Sequence, residues 1–270
     1  MRGVTLESMI KVNYHTHHHL CNHAEGTAMD YAEEAVDKGL DALGIACHAP
    51  SDRLDDGLRM QFHELSDYLD DINQTKSRFK DRLTIYTGLE VEYFDKNPSY
   101  YERLLEKVEY LMLGQHFLPN EKPEDALISC FDLKNGKHLI DYAKSIEEAL
   151  KTGYFSLVSH PDLYMCGYPQ YDAYAEKAAD IICQASIKYD VPLEFNANGL
   201  RRGKIRTKDG IHYPYPRIPF WEHAKKLGCN VILSSDCHSP KYLMDEAVAE
   251  AYQMIIDLKL NLIDEISLKR

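Results

Sequence analysis

Short runs of apolar and β-branched residues recur along the chain and alternate with longer stretches whose apolar positions repeat at helical spacing. The runs 10–17, 42–48, 83–91, 109–116, 155–160, 192–196 and 230–236 read as strands, several of them bounded by Gly or Pro. Between them, 29–38, 61–79, 136–151, 171–189 and 240–258 read as amphipathic helices. Strands separated by helices build βα units on a parallel sheet, so the pattern predicts an α/β barrel. No linker, repeat or low-complexity stretch divides the chain, which predicts a single domain over 1–270.

The polar residues interrupting this pattern fall at the strand ends. His15 and His17 close the first run, His48 the second, Glu90 the third, His116 the fourth and His160 the fifth. The sixth ends near Asn196, and Asp236 and His238 close the seventh. In a parallel barrel all strands deliver their C-terminal ends to one rim, so groups far apart in sequence are predicted to meet there. Residues two apart on a strand share a face, which makes His15/His17 and Asp236/His238 chelating pairs.

Imidazoles and carboxylates without a thiolate suit divalent Zn, Mn or Fe, and a carboxylate bridges two cations through its two oxygens. Glu90 is the expected bridge, with Gly88 beside it allowing close backbone approach and Glu92 as the alternative on the same face. Cys47 and Cys237 point away from that face and are expected to pack. A cation pair about 4 Å apart activates water near neutral pH, so a metal-bridging hydroxide attacking phosphorus is the expected chemistry. The loop 198–204 leaves the predicted rim carrying Arg201 and Arg202. Their guanidinium forks suit phosphate oxygens, and Arg201 is the first candidate for substrate binding and for stabilising the transition state.

Composition narrows the substrate. Lys plus Arg number 31 against 43 Asp plus Glu, a net charge of −12, which disfavours nucleic acid and favours a small ester. Seven cysteines without CxxC spacing suggest reduced thiols in a cytoplasmic protein. No run is long and apolar enough to predict a membrane span. Oligomeric state is not written in these features.

The segments His15-Thr16-His17, Cys47-His48-Ala49-Pro50, Gly88-Leu89-Glu90, Leu113-Gly114-Gln115-His116, Ser159-His160-Pro161-Asp162 and Ser235-Asp236-Cys237-His238 resemble, in order, the motif series of PHP-type phosphoesterases. The resemblance spans almost the whole chain and implies a distorted (β/α)7, TIM-like barrel with two or three divalent metal ions at the C-terminal rim. It also implies the ligand sets: His15, His17, Glu90 and Asp236 for one metal, Glu90, His116 and His160 for a second, and His23, His48 and His238 for a third. Strand position alone leaves His18, His19 and His23 indistinguishable. The segment Glu194-Phe195-Asn196-Ala197-Asn198-Gly199-Leu200-Arg201 is similar to that of the family's histidinol-phosphate phosphatases. L-Histidinol phosphate is therefore the expected substrate, with Glu90, Asp236 and Arg201 in catalysis and Arg201 and Arg202 on the substrate. Cys47 stands where common versions of the second motif carry an acidic residue. Family members often begin close to the His-x-His strand, so 1–8 is expected to be an extension.

A nucleotide phosphatase or nuclease shares this chemistry, and the charge balance weighs against long polymers. An amidohydrolase also opens with His-x-His but fits Glu90 and Asp236-x-His238 less well. A non-catalytic metal-binding protein would leave the Arg201 loop incidental.

Overall fold

The computed structural model of the chain describes residues 10–54, 56–93, 97–120, 126–168 and 170–268. The expected extension at 1–8 lies outside them. Among the described residues, strands β1 (Val12–Asn13), β2 (Ala42–His48), β3 (Thr84–Val91), β4 (Tyr110–Leu113), β5 (Phe155–Val158), β6 (Leu193–Asn196) and β7 (Asn230–Ser234) follow one another side by side in one curled parallel sheet. The short β8 (Asn261–Leu262) adds on to the start of β7.

The two ends of the curl meet beyond β1. After Asn13 the main chain divides its hydrogen bonds between two neighbours, because Thr16 O accepts from Ala46 N at 2.9 Å while His17 N donates to Cys237 O at 3.0 Å. A parallel bridge joins Thr16 to Cys237. That division is why the first predicted strand, 10–17, is reduced to two ladder residues although its extended course is as read. The result is a distorted barrel of seven βα units.

A helix of two turns or more follows each of β1 to β7: α1 (Ala28–Asp37), α2 (Leu65–Phe79), α3 (Pro98–Leu105), α4 (Gly136–Lys151), α5 (Ala173–Tyr189), α6 (Ile218–Leu227) and α7 (Glu246–Leu258), with a single helical turn, Asn198–Arg201, between β6 and α6. Of these, α3 and α6 were not among the helices read from periodicity. The predicted helices 61–79 and 240–258 each open with a separate 3-10 turn, Phe62–Glu64 and Pro240–Tyr242. In the second, Asp245 ends the run by capping α7, its Oδ1 accepting from Val248 N at 3.2 Å.

Helix stripes and outward strand residues form the main core, while Tyr14, Ala46, Tyr110, Met112, Leu157 and Ile232 fill the barrel's interior beneath the rim. Burying each of the larger side chains contributes roughly 1.5–3 kcal/mol. The Tyr110 ring occupies the space above Gly88, where a Cβ would overlap it. The close approach expected at Gly88 is thus a packing contact that plugs the barrel floor. The motif glycine that makes room for a rim residue is Gly114, against which Glu90 lies.

Candidate metal centre

Glu90 comes next to last in β3 and reaches the rim almost fully buried, 1% exposed. Its two oxygens face different nitrogens. Oε1 lies 3.1 Å from His160 Nε2 and 3.6 Å from His116 Nε2. Oε2 lies 3.0 Å from His48 Nδ1, 3.5 Å from His15 Nε2 and 3.8 Å from His17 Nε2. Asp236 comes across from the end of β7, with Oδ1 at 3.0 Å from His17 Nε2 and 3.6 Å from His15 Nε2. Beyond it, His238 Nε2 meets His23 Nε2 at 3.0 Å. Eight of the nine residues implied as ligands by the family resemblance line one cavity of about 580 Å³, and the ninth, His15, is fully buried beside it between Glu90, Glu194 and Asp236.

The geometry separates the three histidines that sequence position left equivalent. His18 turns to Asp71 (Nε2 to Oδ2, 3.0 Å) and His19 to Gly26 O at 3.3 Å, while His23 faces His238. His212 pairs with Thr207 and His223 approaches Asp180, and neither lines the cavity.

The protein alone leaves this cluster unsatisfied. Among the described residues, His15 Nε2, His17 Nδ1, His160 Nδ1 and Glu90 Oε2 are buried without a hydrogen bond. The 3.0 Å approach of His48 to Glu90 Oε2 is a close contact whose alignment makes no hydrogen bond. Buried polar atoms of this kind cost free energy unless something fills the gap, and imidazole plus carboxylate donors fit a divalent cation. Among the described residues, four groups of three candidate ligand atoms lie within 4.8 Å of one another, three of them drawn wholly from the nine residues above. The fourth joins His17 to Cys21 and Cys47.

Electrostatics point the same way. Burial works against the charge on Glu90, yet His116, His15 and His48 around it hold its carboxyl well below the usual range. Asp236 is held down likewise, by His15 and His17. Burial opposes a proton on His17, but its hydrogen bond to Asp236 outweighs that and lifts it to about 9. Burial and the charge on His17 push His238 down to about 3, and burial takes His48 to about 4.

Around the inner ring stand carboxylates to which sequence reasoning gave no such role. Glu92, weighed as an alternative bridge, instead sits behind His116: its Oε1 accepts from Nδ1 at 2.8 Å and its Oε2 from the His116 backbone N–H at 2.8 Å. Glu194 does the same for His15, Nδ1 to Oε1 at 2.8 Å. The available signal was the Glu194-Phe195-Asn196 alternation, which turns both polar residues into the barrel. Asn196 Nδ2 in turn donates to Asp236 Oδ2 at 3.0 Å. Two of the candidate ligands, His160 and Asp236, have left-handed backbones, φ 29° and 45°, a conformation non-glycine residues rarely adopt.

The 198–204 segment, read from the sequence as a loop, opens with the helical turn Asn198–Arg201, and both its arginines line the cavity. Arg201 is engaged by the protein: Nε and Nη2 hold Asp245, Nη1 donates to Ser235 O at 2.6 Å and Nη2 to Tyr242 O at 2.8 Å. Arg202 lies over the rings of Phe131 and Tyr215, its Nε donating to Tyr215 Oη at 3.1 Å. Among the described residues its terminal nitrogens have no protein acceptor, so they face the cavity uncommitted.

A family model describing the PHP domain matches residues 13–198. A relative from Deinococcus radiodurans named "Probable histidinol-phosphatase" is 29% identical over 235 residues, which covers 84% of this chain and 85% of that protein. The histidinol-phosphatase of Bacillus subtilis is 29% identical over 163 residues, 56% of this chain and 60% of its own length. Among solved structures, the histidinol phosphate phosphatase of Lactococcus lactis, complexed with zinc, L-histidinol and phosphate, is similar with a TM-score of 0.70 at 19% identity, covering 95% of this chain and 98% of that one. At that identity the likeness is one of fold. No helix among the described residues is long and apolar enough to cross a membrane.

Proposed function

Because the chain belongs to the PHP domain family, we propose that it is a metal-dependent phosphomonoesterase hydrolysing L-histidinol phosphate to L-histidinol and phosphate, a step of histidine biosynthesis in the cytoplasm. The observation that carries the reading is Glu90, whose Oε1 faces His116 and His160 while Oε2 faces His15, His17 and His48. A carboxylate so disposed can join two cations. His15, His17, Glu90 and Asp236 would hold one, Glu90, His116 and His160 a second, and His23, His48 and His238 a third. Zinc, manganese or iron(II) suits these donors.

Divalent cations in these positions supply positive charge for the phosphate oxygens and acidify water near neutral pH. The chain's own groups do the rest. Arg202 offers its terminal nitrogens to the nonbridging phosphate oxygens, held at the right height by the Phe131 and Tyr215 rings. Arg201 keeps the segment that leads into Asp236 in position through Ser235 O. Asn196 and Asn198 both donate to Asp236 Oδ2, leaving Oδ1 turned to His17 and the cavity, where it orients the attacking water. The walls contributed by Leu58, Phe117 and Tyr242 take the organic part of a small ester.

The test is phosphate release from L-histidinol phosphate beside a panel of nucleotides and sugar phosphates, before chelation, after it, and after each metal is restored. Metal-dependent turnover with a preference for L-histidinol phosphate is expected. Equal or faster release from nucleotides would overturn the substrate assignment, and no release from any ester by the loaded protein would favour a binding role.

A further inference from the structure

Glu194 lies in the middle of the barrel wall on β6, opposite Ile232 of β7, and is fully buried. Each of its carboxylate oxygens accepts from a different part of the cluster. Oε1 takes His15 Nδ1 at 2.8 Å. Oε2 takes the His160 backbone N–H at 2.9 Å and Asn196 Nδ2 at 2.7 Å, the amide that also reaches Asp236 Oδ2.

From this arrangement we infer that Glu194 is a positioning residue that couples two cation subsites, fixing the tautomer of His15 and the left-handed backbone of His160 with one carboxylate. Since Oε2 already accepts two N–H groups and Oε1 faces a ring nitrogen, the carboxylate has only acceptors to offer. His15 must therefore carry its proton on Nδ1. With a cation bound, that leaves the Nε2 lone pair to the cation, since among the described residues Nε2 has no hydrogen-bond partner and lies 3.5 and 3.6 Å from Glu90 Oε2 and Asp236 Oδ1. His160, at φ 29°, sits in a conformation its neighbours must impose, and its N–H is held by the other oxygen. An error at Glu194 would thus reach both sides of Glu90, since His15 belongs to the Oε2 side and His160 to the Oε1 side.

Glutamine is the informative substitute. Its shape matches glutamate, but one of its two positions must be an NH2 group. Facing His15, that group forces the proton to Nε2 and abolishes its lone pair. Facing the other way, it opposes two donors, His160 N–H and Asn196 NH2. Neither orientation satisfies the site, whereas aspartate keeps two acceptor oxygens on a shorter stem.

The inference rests on the proposed cation binding, and the experiment separates the two. Zinc and manganese affinity and stoichiometry are measured on chelated full-length protein by competition with a chromogenic chelator, for the parent, Glu194→Gln and Glu194→Asp. Glu194→Gln is expected to weaken binding 10–100-fold and to lower the stoichiometry retained after desalting, with Glu194→Asp between it and the parent. Folded Glu194→Gln with parental affinity and stoichiometry overturns the inference alone, while a parent that binds no cation overturns the metal reading and the inference with it. Should Glu194→Gln not fold, the zinc-loaded parent decides: long-range 1H–15N correlation spectra of the histidine rings are expected to show His15 protonated at Nδ1. A proton on Nε2 would overturn the assignment.

Discussion

Arg201 and Asp245 form a two-pronged pair, Nε to Oδ2 at 2.8 Å and Nη2 to Oδ1 at 2.9 Å. With Ser235 O and Tyr242 O also engaged, four of the five guanidinium N–H groups are committed to the protein. Asp245 is at once the cap of α7, so the pair ties the 198–204 loop to the helix after β7. Arg201→Ala is therefore expected to destabilise the fold by about 3 kcal/mol, as removal of one partner of a mostly buried pair does, and to lower activity with it. Arg201→Lys should rescue little, because an ammonium cannot fill the fork. Arg202→Ala is expected to leave the melting temperature nearly unchanged and to raise KM at least tenfold. Thermal unfolding beside steady-state kinetics checks both; an unchanged KM in Arg202→Ala would return the phosphate contact to Arg201.

Gly114 gives a direct probe of Glu90. A Cβ there would overlap Glu90 Oε1 and crowd its Cδ and Cγ, so the carboxylate would have to move out of its place between His48 and His160. Gly114→Ala should therefore fold but hold Glu90 out of place. Displacements of this size cost on the order of 100-fold in rate. The measurement is metal content by mass spectrometry together with kcat/KM, and a fully loaded, fully active Gly114→Ala would show that Glu90 tolerates the shift.

Much of this site was legible in the sequence because strand ends in a parallel barrel converge whatever lies between them. His15, Glu90, His160 and Asp236 could be grouped from strand position alone. His23 could not, since it lies in the loop after β1 and only the fold shows it turning back to His238 across 215 residues. Glu194 escaped for another reason: a buried carboxylate in mid-strand looks like a candidate ligand or a packing anomaly until its partners are known. The different fates of Arg201 and Arg202 were equally hidden, since adjacent guanidinium groups have the same chemistry and only the presence of Asp245 beside one of them distinguishes them. The helices α3 and α6, short and each opening with a proline near the start, carry too few apolar repeats to stand out by period.

Cation binding should release protons. In the metal-free protein burial disfavours the charge on His17, but Asp236 holds its proton up to about 9, well above the ordinary 6.5. At pH 7 that proton is present, and a cation taking the same lone pair must displace it. Apparent affinity is thus expected to rise with pH, about tenfold per unit for each proton displaced, and to level off near pH 9 as His17 becomes neutral in the free protein. Calorimetric titration of the chelated protein in buffers of different ionisation enthalpy measures the number released. Zero release at pH 7 would mean that the lone pair of His17 is already available.

Asp162 offers a prediction about stability apart from catalysis. Its carboxyl is fully enclosed, and Oδ2 accepts from Arg217 N at 2.6 Å and Trp221 Nε1 at 3.1 Å. Burial dominates over those bonds and lifts it from 3.8 to about 6. The folded protein therefore binds this proton more tightly than the unfolded chain does. Its contribution favours folding below pH 3.8, and it is lost progressively as pH rises to about 6, amounting to an order of 3 kcal/mol against the native state at neutral pH. Asp162→Asn keeps a carbonyl acceptor for both donors and carries no charge to bury. Denaturant unfolding at pH 4 and pH 7.5 should show the substitution to be more favourable at the higher pH, by an amount comparable to that loss. If the difference between the two proteins were the same at both pH values, Asp162 would have to titrate normally, and the two hydrogen bonds rather than burial would set its charge.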